Sequence, residues 1–138
     1  MRNRVTIVER TFKVNPKKRA VVCIIECKFN WPNEMDTAWG SDFYKYCRKV
    51  TGASTVVSSD YFTVVGVSKC HADDTFDEVL GKRIAESRAK KDAYDKAHKV
   101  WNMIYKHYIK MAKLASNMSV ACYKAKNIEV EHIIRLKG

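Results

Sequence analysis

The sequence predicts an α+β fold: an antiparallel sheet of four to five strands, a short helix near residues 41–50 and one long helix near 76–115 packed on it. Three observations carry this. Segments rich in β-branched and aromatic residues recur around short polar breaks in the first half. An acidic, cap-like turn sits at 73–78. Beyond it, apolar residues fall at threes and fours without a proline. At 138 residues the chain is read as one domain, its long helix extending beyond the core.

Val5 to Val14 reads as the first strand. Asn15-Pro16-Lys17-Lys18 is a turn, because proline fixes φ where no ladder donor is needed. Arg19 to Phe29 is a second, more continuously apolar strand, the signature of a strand covered on both faces or central in its sheet. Together they predict a hairpin with Lys17, Lys18 and Arg19 at its cationic tip. Trp31-Pro32-Asn33 breaks the pattern. Phe43, Tyr46, Cys47 and Val50 then share one face of a helix over 41–50, with Ser41 as its cap and Thr51-Gly52 as its end. Strands over 55–58 and 61–67 are expected to form a second hairpin.

Thr75-Phe76-Asp77-Glu78 has the capping-box form, and Asp73, Asp74, Asp77 and Glu78 put negative charge at the positive end of a helix dipole. Leu80, Ile84, Tyr94, Ala97, Trp101, Ile104, Tyr108, Met111 and Ala115 mark the helix that follows. At 1.5 Å per residue it spans roughly 60 Å, so part of it must protrude, bend or meet a second chain. Ser116-Asn117 is the expected stop. The alternation from Ile128 to Leu136 predicts a last strand.

Charge is unevenly placed. Of the formal +11, the segment Lys82–Lys113 supplies +7, with ten basic residues against three acidic. Residues 31–81 carry −4. Two basic regions thus flank an acidic one, favouring an oriented encounter with a charged partner. Five cysteines, an odd number and none in a Cys-x-x-Cys pair, predict free thiols in a reducing compartment. No apolar run is long enough for a signal core or a membrane span, so a cytoplasmic protein is expected.

Cys70, His71, Asp73, Asp74 and Asp77 form the densest group of ligand-type side chains. A metal site is one use of them; helix capping and salt bridges to Lys82 and Arg83 are the reading preferred here, and no metal or other cofactor is expected. Cys70 and His71, adjacent on a strand, point to opposite faces and cannot pair as nucleophile and base. With no nucleophile elbow and no phosphate-cradling glycine loop, a non-enzymatic role is expected.

The segment Thr55 to Ala93 resembles a family of small phage and prophage proteins described as double-stranded-RNA-binding-domain-like. The shared positions are Gly66, Val67, Lys69, Cys70, His71, Asp73, Asp74, Phe76, Asp77, Gly81, Ile84, Ala85, Arg88 and Ala89. The resemblance covers under a third of the chain and implies a strand-to-helix unit in a phage-type accessory protein of the host cytoplasm.

The partner expected from charge is nucleic acid, held by Lys17, Lys18, Arg19, Lys82, Arg83, Arg88, Lys90, Lys91, Lys96, Lys99, Lys106, Lys110 and Lys113. Tyr94, His98, Trp101, Tyr105 and Tyr108 are candidates for base stacking. The alternative partner is a host nucleoprotein effector, a nuclease with its guide, bound as an anti-CRISPR-like inhibitor binds its target. Tyr94, Trp101, Tyr108 and Ala115 repeat every seven residues, with Ala97, Ile104, Met111 and Met118 between them. This stripe predicts either a homodimer through 94–118 or packing on the 41–50 helix and the sheet.

Overall fold

A computed structural model describes residues 5–30, 40–53 and 60–138. In chain order these form β1 (Val5–Asn15), β2 (Ala20–Phe29), α1 (Gly40–Thr51), β3 (Tyr61–Lys69) and α2 (Glu78–Lys137). The chain divides into two compact units, Met1–Asn102 and Met103–Gly138. The α+β class is as the sequence predicts. The sheet has three strands among the described residues, fewer than the four to five expected, in the order β1-β2-β3 and antiparallel throughout. The expected strand at 55–58 lies outside the described residues, as does the Trp31-Pro32-Asn33 break.

The first unit is built on one face of that sheet. Val21, Cys23, Ile25, Cys27 and Phe29 of the central strand β2 are buried, and Phe62, Val64, Gly66 and Ser68 extend the layer onto β3. Phe29 and Phe62 stack with ring centroids 4.2 Å apart. Against this layer α2 presents Gly81, Ala85, Ala89, Ala93, Ala97 and Val100, at spacings of four and three. Small residues let the helix lie close. At Gly66 a Cβ would overlap the Ala85 carbonyl and sit 2.5 Å from the Ala89 amide nitrogen, so only glycine fits where the helix crosses β3. Phe43, Tyr46 and Cys47 of α1 are also buried, with the Phe43 ring 5.5 Å from that of Trp101.

In β1 the register shifts between Ile7 and Glu9, and Val8 is half-exposed at the bulge. The extra residue changes which parity faces inward. Before it Val5 and Ile7 lie on the core side; after it Arg10, Phe12 and Val14 stand opposite the buried Ile25, Cys23 and Val21 of β2.

Two boundaries differ from expectation. The cap of α2 is Asp77, not Thr75: the Asp77 carboxylate accepts the Leu80 amide at 3.1 Å, and its carbonyl accepts the Gly81 amide at 2.9 Å. The helix does not stop at Ser116-Asn117, and residues 128–136 are helix instead of a strand; α2 runs 60 residues to Lys137. Serine and asparagine cost only a few tenths of a kcal/mol within a helix, and neither glycine nor proline occurs between Lys82 and Lys137 to break it. The second unit, 103–138, is this helix alone. Beyond Ile104 none of its side chains is buried. No helix among the described residues is long and apolar enough to cross a membrane.

Candidate nucleic-acid interface

Within the first unit, α2 has two unlike flanks. The flank facing β1 is internally compensated. Arg10, turned inward by the bulge, places Nε 2.8 Å from Glu86 Oε1, and Lys90 Nζ lies 3.8 Å from the other oxygen of Glu86. Lys82 sits 3.4 Å from Glu78 and over the Phe12 ring.

The flank facing β3 has no such compensation. Arg88 donates from Nη1 to the Val67 carbonyl at 2.6 Å, which fixes its side chain along the strand edge without cancelling its charge. Arg83, Ser87 and Lys91 are four residues apart on α2 and line, with Ile84 and Arg88, one open depression of about 350 Å³. Among the described residues no carboxylate lines it. Arg83 and Lys91 are exposed, and no ion pair joins any of these three cations to a partner among the described residues. The stems of Arg83, Arg88 and Lys91 line this hollow, so two guanidinium groups and an ammonium sit near one another with no described carboxylate among them, a grouping that suits a phosphate, which accepts several charge-assisted hydrogen bonds at once.

The other predicted cations divide in the same way. Lys96 holds both oxygens of Asp92, at 3.0 and 3.1 Å, and Lys99 lies 3.2 Å from Asp95. Such pairs at i,i+4 contribute roughly 0.3–0.5 kcal/mol each and stabilise the helix more than they recruit a partner. Lys17 and Lys18 are exposed at the hairpin tip, where the Asn15 side chain accepts the Lys18 amide. Arg19 is not at the tip's disposal. With φ at +54° it turns back, donates to the Ala72 carbonyl at 2.8 Å and reaches the Cys70 sulfur at 3.6 Å. It clamps the hairpin to the strand-to-helix turn.

In the second unit Lys106, Lys110 and Lys113 follow at spacings of four and three, forming one exposed stripe that Lys124 continues. None of them has an ion pair among the described residues; the unit's acids, Glu129 and Glu131, lie further along.

Of the candidate stacking and dimer residues, Trp101 belongs to the core side of the first unit, half-buried against Phe43, with Ala97 and Val100 buried nearby on α2. In the second unit Ile104 is also buried. Tyr94 remains partly exposed, Tyr108 meets His107 edge-on at 5.1 Å, and Tyr105 and Met111 are exposed.

The acidic turn shows no metal-type convergence: among the described residues no three His, Cys, Asp or Glu side chains come together. His71 Nδ1 accepts the Asp73 amide at 3.2 Å, and Cys70 is engaged by Arg19. The buried thiols are held protonated. Burial pushes Cys27 up to about 11 and, helped by the Asp60 carboxylate, Cys47 up to about 12. Burial also raises Cys23.

No protein-family model, curated protein or solved structure matches the chain.

Two contributors escaped the sequence reading. Ser87 was legible, four residues from both Arg83 and Lys91. Arg10 was not, because a bulge that changes parity leaves no mark in composition.

Proposed function

We propose that the protein is a non-enzymatic, phage-type accessory protein that binds nucleic acid through its phosphates. One observation carries the reading: the α2 cations on the β1 flank sit beside Glu78 and Glu86, while Arg83, Arg88 and Lys91 on the β3 flank have no ion pair among the described residues and line one shallow hollow. Lys106, Lys110 and Lys113 supply further phosphate contacts. Lysine and arginine used this way position a polyanion without reading its sequence, so binding is expected to be tolerant of sequence and steeply dependent on salt.

The test is binding of single- and double-stranded DNA and RNA by fluorescence anisotropy across a salt series. With three to six phosphates engaged, the slope of log K against log salt on a duplex is expected between roughly −3 and −5. No binding to any of the four at low salt refutes the reading. That outcome would favour the alternative, an anti-defence inhibitor docking on a protein surface of a host nuclease.

A further inference from the structure

The second unit carries a surface that nucleic-acid binding does not use. Written as a heptad continuing the register of Tyr94 and Trp101, every a, d and g position from Tyr108 to Ile128 is apolar. Its large members are Tyr108, Met111, Leu114, Met118 and Ile128. Its small ones are Ala115, Ala121, Cys122 and Ala125. Met111 is 48% exposed, Leu114 50%, Met118 64% and Ile128 60%. Lys106, Lys110, Lys113 and Lys124 occupy f and c positions, outside this seam.

Met118 and Ile128 stand more than half exposed, with Met111 and Leu114 about half exposed, an apolar stripe of the kind a soluble helix ordinarily covers. Its order of sizes identifies the occupant. Reversed upon itself about Met118, the seam sets Met111 against Ala125, Leu114 against Cys122 and Tyr108 against Ile128. Large meets small where Met111 faces Ala125 and Leu114 faces Cys122, once on each side of a centre at which Met118 meets its own copy, an arrangement that fills these layers without voids. Parallel pairing would instead set Ala125 on Ala125 and Met111 on Met111. A membrane surface fits less well, because Lys126 and Glu129 interrupt the apolar sectors that would enter it.

We propose that residues 108–128 form an antiparallel helix pair with the same segment of a second copy, centred on Met118. The pair is independent of the nucleic-acid reading, and its test uses nuclease-treated full-length protein without ligand. Sedimentation equilibrium from about 1 to 100 µM should give a mass of twice 15.9 kDa. Met118→Glu, at an exposed position, should weaken association at least tenfold while circular dichroism keeps the strand signal of the first unit. In a second measurement, chains carrying Met111→Cys with Cys122→Ser are mixed with chains carrying Ala125→Cys with Cys122→Ser and mildly oxidised. The heterologous disulfide should dominate. A monomer at 100 µM overturns the proposal, as does a monomer that pellets with phosphatidylserine vesicles. Preferential cross-linking of each variant to itself overturns the antiparallel arrangement.

Discussion

Replacing Arg83 and Lys91 together by alanine removes two positive charges that have no ion-pair partner among the described residues. Replacing Lys82 and Lys90 by alanine removes the same charge from the other flank of the same helix, where Glu78 and Glu86 already partner them. The two double variants therefore separate a localised phosphate site from diffuse attraction. Each phosphate contact contributes about −0.9 to the salt slope, so at 0.1 M, one decade below a 1 M reference, one contact is worth roughly eightfold in affinity. Losing two should weaken duplex binding about sixtyfold, close to 2.5 kcal/mol, and flatten the slope by about 1.8. The control pair acts only through the screened field, with a Debye length of about 10 Å at this salt, and should lose no more than about threefold. Anisotropy titrations at four salt concentrations measure both quantities. Equal losses in the two variants, or an unchanged slope for Arg83→Ala with Lys91→Ala, would refute the assignment of the hollow.

Gly66→Ala places a methyl group against the Ala85 carbonyl and the Ala89 amide, backbone atoms that cannot swing away. It should cost about 3 kcal/mol in urea unfolding, at the upper end of overpacking penalties. Asp77→Ala should cost about 1 kcal/mol by loss of the cap, while Thr75→Ala stays within about 0.5; the reverse order would move the helix start. The raised folded pKa of Cys47, about 12 against an ordinary 9.0, makes its contribution complete below pH 9 and lost as pH climbs from 9 toward 12. The stability gap between wild type and Cys47→Ala should accordingly narrow between pH 8 and about pH 10.5 in paired denaturation curves. A chain ending after Ile109 loses no buried side chain and should keep the Trp101 fluorescence transition of the whole protein to within about 1 kcal/mol.

Most of the first unit was legible because its residues obey one local rule at a time. Pro16 and the apolar run of β2 set the hairpin, whereas the face that α2 turns to the sheet, Gly81, Ala85, Ala89 and Ala93, lies one position beyond the expected Leu80 and Ile84 and leaves Leu80 half-exposed. The misreadings have equally local causes. Ile128 to Leu136 alternates well enough for a strand, yet it continues a helix already nucleated, and propagation needs only the absence of a breaker. Thr75 and Glu78 satisfy the capping-box pattern, but Asp77 supplies the oxygen three residues before Leu80 and takes the cap. The site divides similarly. That Arg83, Ser87 and Lys91 share a face follows from spacing alone. That Glu86 also holds Arg10, at 2.8 Å, does not follow from spacing, because Arg10 reaches it only where β1 gains one residue at Val8.

The second unit links the two proposals physically. A helical stretch of 35 residues, Met103 to Lys137, with seven β-branched members, Ile104, Ile109, Val120, Ile128, Val130, Ile133 and Ile134, has modest intrinsic propensity. Its one ion pair among the described residues, His132 with Glu129, adds little at that exposure. In proteins such helices owe most of their stability to covering an apolar face. If the seam from Tyr108 to Ile128 is what becomes covered, Lys106 and Lys113 at f positions are left pointing away from the partner. Pairing then doubles the number of phosphate-contacting lysines on one particle without altering any single contact. Two linked stripes bind a long polyanion with an effective local concentration that a single stripe lacks. Met118→Glu should therefore lower affinity for a long duplex far more than for one too short to span both copies, and equal losses on the two lengths would separate the seam from binding altogether.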